Sequence, residues 1–492
     1  MRAYCFFSVY ESLFHPIALG LRERGVTHFS GFTWGKVQQA DIEGHGIDYD
    51  PLIVFSRDVL PLADDGTPPD IAWLEKREAE LGVSIQRMLS AERHLLKGRR
   101  HEQILRLAEV VLRTIGDALD RIQPDFIYSE DISCFTSYAH FLLAKERGIP
   151  FWCIGAARLP ARLSVYSIGF QRSEKVEALY AEIRKRGLTP EERAEAQGFR
   201  DKFTTKPEKP PGMTTRAIVP GIGVDDAKHF WLAASRYLGD PGDPTSTAPA
   251  RALKQRVQRV ARIRWADAIG TFEQPVAGEK YVIYPIHFQP EASTLVQAPM
   301  YLDQAALIQD IARSLPIGHR LYVKEHVANR GRRPMAFYDA LRAIPSVRLI
   351  GPDADTWSLI QGASAIAVIT GTMGWEGVLF GKPVITFGDV FMNVLPHVYK
   401  ASAVPKDGWY QLFRTALFEH RADDDAVLAL LVALQRASTP GRIHNPNTFK
   451  LVIEDENIKL ILEALVAAAL PRARADAAAR SARRATSTTT SE

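Results

Sequence analysis

The chain has 492 residues, of which 46% are hydrophobic and 24% are charged, a composition typical of a soluble globular protein with more than one domain. Much of the formal net charge of +4 lies in the last 22 residues, which hold five Arg against one Asp and one Glu. The rest is nearly neutral, which argues against nucleic acid as the principal partner. We expect a cytoplasmic protein with reduced thiols, because the three cysteines lack metal-ligand spacing and neither a signal peptide nor a membrane-spanning apolar run is found.

Residues 1–175 predict a first α/β domain. Strand-like segments such as "AYCFFSV", "PDFIYSE" and "IPFWCIG" alternate with helical segments such as "HPIALGLRERG" and "FTSYAHFLLAKERG". This alternation, with short Gly- or Pro-marked loops, indicates a parallel sheet. Residues 68–108 are charge-rich and helical, which predicts an insertion over one face of that sheet.

Residues 176–270 predict a linker and a helical segment. The stretch "TTKPEKPPGMTTR" has the composition of a linker. The stretch "RALKQRVQRVARIRW" has six Arg or Lys, with Leu253, Val257, Val260 and Ile263 at helical spacing. One interpretation is a solvated helix packed through this apolar stripe. The other is a basic amphipathic helix, residues 251–265, which contacts an anionic membrane surface.

Residues 271–422 predict a second Rossmann-like domain, since strands such as "KYVIYPIHF", "HRLYVKEH", "AIAVIT" and "PVITFG" again alternate with helices. Residues 423–470 predict helices. Residues 471–492 are rich in Ala, Arg, Ser and Thr, and this composition predicts a disordered tail.

Polar residues follow the predicted strands of the second domain. In parallel sheets, ligands bind beyond the carboxyl ends of the strands, so we expect these residues to converge on one crevice. Alternation predicts that His287, Gln289 and Glu291 point the same way if the chain after the strand stays extended. Pro290 is positioned to break this pattern and leave Glu291 capping the turn. The candidates for binding a phosphorylated ligand in the loops after two strands are His287, Gln289, Glu291, Ser293, Lys324 and His326.

The segment "ITGTMGWEG" has the features of a phosphate site. Gly371 and Gly374 allow close approach of the backbone, and Thr370 and Thr372 supply hydroxyls. The helix that follows presents free N–H groups and its positive dipole end. Glu376, about one turn into that helix, is a candidate acceptor for ribose hydroxyls; an ordinary helix cap with a surface Glu is the alternative.

In the first domain, Glu130 and Asp131 follow a predicted strand and are candidates for a general base that deprotonates a hydroxyl group. For Asp131 the alternative is a helix N-cap. His15 and Arg158 also follow strands and are candidates for acceptor binding, with packing or solvated roles as alternatives.

The segments "YPIHFQPEAST", "LYVKEH", "GTMGWEG" and "GKPVITFG", in this order, resemble the bacterial capsular polysaccharide biosynthesis family, which is related to the capsule Kdo transferases and to GT-B glycosyltransferases. The resemblance covers about residues 279–395 closely. It implies an α/β, GT-B-like fold with two Rossmann-like domains facing a cleft, a nucleotide-sugar on the second domain, an acceptor on the first and no metal in catalysis. His326 corresponds to the family's His-Pro histidine, although Val327 stands where the family has Pro.

The resemblance implies a glycosyltransferase that needs no cofactor and acts on a surface polysaccharide or its lipid-linked precursor, with a donor linked to CMP or UDP. His326 and Lys324 would stabilise the departing phosphate. The alternatives are an enzyme like the sugar-nucleotide 2-epimerases, and a non-catalytic protein for polysaccharide binding or export.

Overall fold

The computed structural model describes residues 1–167, 173–205, 224–446 and 449–488. The chain forms two compact units. Unit 1 comprises residues 1–169, 227–249 and 437–492, and unit 2 comprises residues 170–226 and 250–436. The α/β, GT-B-like fold class is confirmed, since each unit is built on a mainly parallel sheet.

Unit 1 contains a seven-stranded sheet in the order β13-β6-β5-β4-β1-β2-β3, in which β6 and β13 are antiparallel to their neighbours. Its strands are β1 (Arg2–Ser8), β2 (His28–Thr33), β3 (Tyr49–Val54), β4 (Phe126–Ser129), β5 (Phe151–Ala156), β6 (Arg162–Tyr166) and β13 (Thr439–Pro440). Its helices are α1 (Glu11–Glu23), α2 (Lys36–Ile42), α3 (Leu60–Ala63), α4 (Ile71–Leu81), α5 (Ile85–Leu89), α6 (His101–Ile122), α7 (Phe135–Glu146), α10 (Val224–Gly239, from residue 227) and α19 (Asp455–Thr488).

Unit 2 contains a six-stranded, fully parallel sheet in the order β12-β11-β10-β7-β8-β9. Its strands are β7 (Tyr281–Pro285), β8 (Arg320–Lys324), β9 (Val347–Ile350), β10 (Ala365–Val368), β11 (Val384–Thr386) and β12 (Val398–Lys400). Its helices are α8 (Glu174–Arg186), α9 (Pro190–Thr205), α11 (Pro249–Ala268), α12 (Ala292–Leu295), α13 (Gln304–Ser314), α14 (Met335–Arg342), α15 (Thr356–Gly362), α16 (Thr372–Leu379), α17 (Trp409–Phe418) and α18 (Asp424–Ala437).

The last helix in the chain, α19, completes the core of unit 1. Its Ile461, Leu465 and Ala469 are buried together with residues of β1 and α1. Gly20 of α1 gives α19 room, because a Cβ on Gly20 would lie 2.2 Å from a methyl carbon of Leu462.

The structure corrects the prediction of disorder for the tail as far as residue 488. Residues 471–488 continue α19, and the side chain of Ala473 is buried. The reason is that Ala and Arg are among the strongest helix formers, and the preceding turns of α19 are already fixed by packing. Residues 489–492 lie outside the described part of the chain, as does most of the predicted linker segment "TTKPEKPPGMTTR".

Within the described residues, none of the helices combines the length and hydrophobicity that crossing a bilayer requires.

Candidate active site

The topology of unit 2 marks one point of the sheet as a candidate binding site. The chain runs outward from β7 to β8 and β9, then returns to the other side of β7 and continues through β10, β11 and β12. The carboxyl ends of β7 and β10 therefore form a topological switch point, where open α/β sheets bind ligands.

His287 joins the two sides of this switch point. It follows β7 and is buried, and its Nε2 accepts the N–H of Ile369, just past β10, at 3.1 Å. Burial lowers the pKa of His287 to about 3, so the ring is neutral and carries its proton on Nδ1. Gly371 leaves room for the ring, because a Cβ there would lie 3.0 Å from His287 Cε1.

The remaining polar side chains after β7 mostly bind their own loop. The Gln289 side chain donates to the Leu302 carbonyl at 2.9 Å and accepts from Gln304 at 2.8 Å. Glu291 is exposed at the start of α12 and accepts the Ser293 hydroxyl at 2.7 Å, and its own carboxylate makes no bond that caps the helix. His287, Gln289 and Glu291 therefore do not point the same way, because the chain turns after Phe288 instead of staying extended. Their side chains have different hydrogen-bond partners.

His326 is half-buried in the loop after β8. Its Nδ1 accepts the N–H of Ala328 at 3.1 Å, so the neutral ring carries its proton on Nε2. Burial lowers the pKa of His326, as do the charges of Lys324 and Arg333, whereas Glu291 acts to raise it. His326 is therefore a neutral hydrogen-bond donor near pH 7.

Lys324 and Glu325 lie deeper than the sequence suggested. Lys324 is buried, with Nζ donating to the Pro352 carbonyl at 3.1 Å. Glu325 is also buried and accepts the hydroxyl of Tyr338 at 2.6 Å. Both residues hold the loop after β8 in place, which favours a supporting role over direct contact with a phosphate.

The turn before α16 divides its residues between packing and exposure. Thr370 donates its hydroxyl to the Ser293 carbonyl at 3.0 Å, while Thr372 is exposed at the first position of the helix. A Cβ on Gly374 would lie 2.6 Å from Met392 Cε and 2.7 Å from Val368 Cγ2. Gly374 thus serves the packing of α16 on the sheet, whereas Gly371 lies at the switch point.

Glu376 is partly buried one turn into α16. Burial raises its pKa to about 7, and no other cause contributes. When a carboxyl group is buried without a counter-charge, a ligand that donates a hydrogen bond to it lowers its pKa.

Unit 1 has a switch point of its own between β1 and β4, and the predicted acidic pair lies there. Glu130 directly follows β4, and its Oε1 accepts the hydroxyls of Ser8, at the end of β1, at 2.7 Å and of Ser133 at 3.2 Å. Burial raises the pKa of Glu130, while these hydrogen bonds act to lower it. One of its carboxylate oxygens is thus committed to holding the switch point together.

Asp131 has a different environment from Glu130. Its Oδ1 accepts the N–H of Ile132 at 3.1 Å. Burial raises the pKa of Asp131 to about 6, although Tyr166 and the charge of Arg158 act to lower it. The N-cap alternative for Asp131 is wrong, because α7 begins at Phe135 and its N-cap is Cys134.

His15 lies inside α1 rather than in a loop after β1. Its Nδ1 accepts the hydroxyl of Tyr49 at 3.0 Å, and its Nε2 donates to the His45 carbonyl at 3.1 Å. With both ring nitrogens engaged and the side chain buried, the packing alternative explains His15, and a role in acceptor binding does not fit this position.

Arg93 and Tyr10 are neighbours of the acidic pair that sequence reasoning missed. Burial raises the pKa of Glu130, and the charge of Arg93 and the Tyr10 hydroxyl both act to lower it. The Nε of Arg93 is buried and has no hydrogen-bond partner among the described residues. No sequence signal points to Arg93, because it lies in the charge-rich insertion, far along the chain from β1 and β4.

No group of three or more His, Cys, Asp or Glu side chains is placed to hold a metal ion within the described residues.

Residues 248–428 match the family model described as capsule polysaccharide biosynthesis protein, so the recognition from the sequence motifs is confirmed for this segment. No curated protein matches the chain.

Solved structures similar to this chain include both transferases and epimerases. The beta Kdo 2,7 transferase KpsC of Thermosulfurimonas dismutans has 13% identity and a TM-score of 0.37, with 69% of this chain and 88% of that one covered. The UDP-GlcNAc 2-epimerase of Neisseria meningitidis, bound to UDP-GlcNAc, has 13% identity and a TM-score of 0.28, covering 92% of this chain and 98% of that one. Anabaena Alr3699/HepE in complex with UDP-glucose has 12% identity and a TM-score of 0.26, covering 95% of this chain and 100% of that one. Similarities this distant do not decide between these activities.

Proposed function

Because residues 248–428 match the capsule polysaccharide biosynthesis family, we propose that this protein is a glycosyltransferase that moves a sugar from a nucleotide-sugar to a capsular or related surface glycan, or to its lipid-linked precursor. The proposed domains are an acceptor domain within residues 1–175 and a nucleotide-sugar domain within residues 271–422. The donor is a sugar linked to CMP or UDP, and catalysis needs no metal.

The observation that carries this proposal is the position of the candidate residues at topological switch points. The hydrogen bond from Ile369 to His287 spans the switch point of unit 2, and the hydrogen bond from Ser8 to Glu130 spans that of unit 1. A chain in which buried polar groups meet at the ligand-binding edge of both sheets fits an enzyme with one substrate on each unit.

We assign the general base to Asp131. With a pKa near 6 it is ionised at neutral pH, yet it is basic enough to take the proton of an acceptor hydroxyl. The charge of Arg158 and the Tyr166 hydroxyl favour the ionised form of this carboxylate, and Glu130 positions the strand end beside it. The acceptor oxygen then attacks the anomeric carbon of the donor sugar as the bond from that carbon to the phosphate oxygen breaks.

The departing phosphate is stabilised in unit 2. The Nε2–H of His326 and the N–H groups of Thr372 and Met373, in the first turn of α16, are suitable donors, and the helix dipole adds to their effect. The Thr372 hydroxyl lies beside those N–H groups. Lys324 contributes positive potential from its buried position, and ionised Glu376 accepts the ribose hydroxyls.

The first experiment is a thermal-shift panel of CMP, UDP, GDP and their sugars with the intact protein. A ligand that binds only the folded state raises the melting temperature, so a CMP or UDP compound should do so. If none of these nucleotides raises the melting temperature at saturating concentration, the proposed donor site is wrong.

A second experiment separates transfer from epimerisation. The protein is incubated with the stabilising nucleotide-sugar, with and without capsular oligosaccharides, and the products are separated by mass and by isomer. Transfer predicts an acceptor lengthened by one sugar and release of the nucleotide. An isomerised nucleotide-sugar formed without acceptor would support the epimerase alternative, and no turnover together with unchanged cellular glycan in a His326→Ala strain would support a non-catalytic role.

A further inference from the structure

Among the described residues, the buried side chains of helix α11 (Pro249–Ala268) lie on one face of the helix. On that face Ile263 and Ala266 are buried, and Arg259 Nε donates to the Arg330 carbonyl at 2.9 Å. Arg262 continues this contact by donating to the Arg332 carbonyl at 2.8 Å. The inner face of α11 thus holds the loop that begins at His326.

The outer face of α11 exposes large apolar side chains. Leu253 is 53% exposed, Val257 is 60% exposed and Trp265 is 60% exposed. With the exposed Ala261 between them, these side chains recur every four residues and form a strip along the helix. One interpretation of the sequence is that the apolar stripe packs this helix against the protein. That interpretation is wrong for Leu253 and Val257, which are exposed, whereas Ile263 is buried.

Cations border this strip. Arg251, Lys254 and Arg264 are exposed, and none of them has an ion-pair partner among the residues that the structure describes. Residues 249–266 contain six Lys or Arg and no Asp or Glu. The first acidic residue, Asp267, is paired with Arg330.

We propose that the outer face of α11 docks on an anionic membrane surface. Exposed leucine, valine and tryptophan side chains, bordered by unpaired cations, match the boundary between acyl chains and anionic headgroups in both polarity and charge. Lys and Arg reach the headgroups while their aliphatic stems lie along apolar surface, and tryptophan favours this boundary. Because the inner face of α11 holds the loop after β8, this contact would keep the candidate donor site of unit 2 near the bilayer.

The test is co-sedimentation of the full chain with vesicles of phosphatidylcholine, with or without phosphatidylglycerol, at low and high salt. Binding should require phosphatidylglycerol and weaken with salt. Each basic residue near an anionic surface contributes about a fivefold effect, so Arg251→Gln, Lys254→Gln and Arg264→Gln together should lower the partition coefficient by about a hundredfold. The matched charge control is Arg313→Gln, Arg342→Gln and Lys400→Gln, which removes three other exposed cations of unit 2 and should change binding little.

The apolar strip is tested separately. Leu253→Ser, Val257→Ser and Trp265→Ser together should abolish sedimentation without lowering the melting temperature, since the replaced side chains are exposed. Ile317→Ser, at a fully exposed loop residue of the same unit, should leave binding intact.

The proposal is overturned if the wild type does not bind anionic vesicles at low salt, or if the strip variant still binds. It is also overturned if light scattering shows that the strip variant breaks up an oligomer while vesicle binding is unchanged, since the face would then be covered by a second copy. Because vesicle binding needs no catalysis, these results do not depend on the proposed transferase activity.

Discussion

The substitution Asp131→Asn should remove transfer and, at neutral pH, make the protein more stable. In the folded protein burial raises the pKa of Asp131 to about 6, against an ordinary value of 3.8. Ionised Asp131 therefore opposes folding: its contribution to the free energy of unfolding is most favourable below pH 4 and is lost as the pH rises through about 6. At about 1.4 kcal/mol per pKa unit, the ionised carboxylate costs up to about 3 kcal/mol above that pH.

An asparagine at this position is isosteric and uncharged, and its carbonyl oxygen can retain the hydrogen bond from Ile132. Urea unfolding of wild type and Asp131→Asn at about pH 7.5 should show the variant more stable by about 1–3 kcal/mol, and the difference should vanish near pH 4. In the transfer assay, Asp131→Asn should be inactive, while the activity of the wild type should rise with pH through about 6.

Asp120→Asn is the control of opposite sign. The hydrogen bonds from Arg147 lower the pKa of Asp120, so this carboxylate stabilises the fold above its ordinary pKa and loses that contribution as the pH falls. Asp120→Asn should therefore be less stable than wild type at neutral pH, with unchanged transfer. If Asp131→Asn instead proves less stable than wild type at neutral pH, its carboxylate is an ordinary structural anion, and the assignment of the base fails.

Three further outcomes test the site of unit 2. His326→Ala should lower kcat by about ten- to a thousandfold with little change in the Kd of the nucleotide, since its Nε2–H stabilises charge that develops on the leaving phosphate; an unchanged kcat would contradict this role. The Kd of the nucleotide should fall as the pH rises through about 7 because ionised Glu376 accepts the ribose hydroxyls, and calorimetric titrations of Glu376→Gln should lack this dependence. Gly374→Ala should destabilise unit 2 by about 1–3 kcal/mol in denaturant unfolding, because its Cβ would overlap Val368 and Met392; a variant as stable as wild type would show that α16 shifts freely.

The architecture of both units was largely predictable, because alternating strands and helices leave few arrangements for a parallel sheet. Strands β3, β6 and β13 of unit 1 and β12 of unit 2 were not predicted. Of these, β3 is an edge strand that contains Pro51. Proline lacks the N–H that a central strand donates, so this segment does not have the sequence pattern of a strand, yet an edge strand tolerates it.

Residue types and positions along the chain determined which residues lie at the ligand-binding edges of the two sheets. His287, His326 and Asp131 each lie two residues after the end of a strand. In a parallel sheet the ends of successive strands meet at one edge. That rule depends on the backbone alone, so it holds whatever the side chains do.

Only the tertiary structure decided what each of these side chains does. Lys324 and His326 are two residues apart, yet the ammonium group of Lys324 is buried and donates to the Pro352 carbonyl, whereas the half-buried His326 ring accepts the N–H of Ala328 through Nδ1. Similarly, Leu253 and Ile263 share one helical pattern, but only Ile263 meets the body of unit 2. Burial, charge partners and pKa depend on neighbours brought from distant parts of the chain, and a local pattern contains no information about those neighbours.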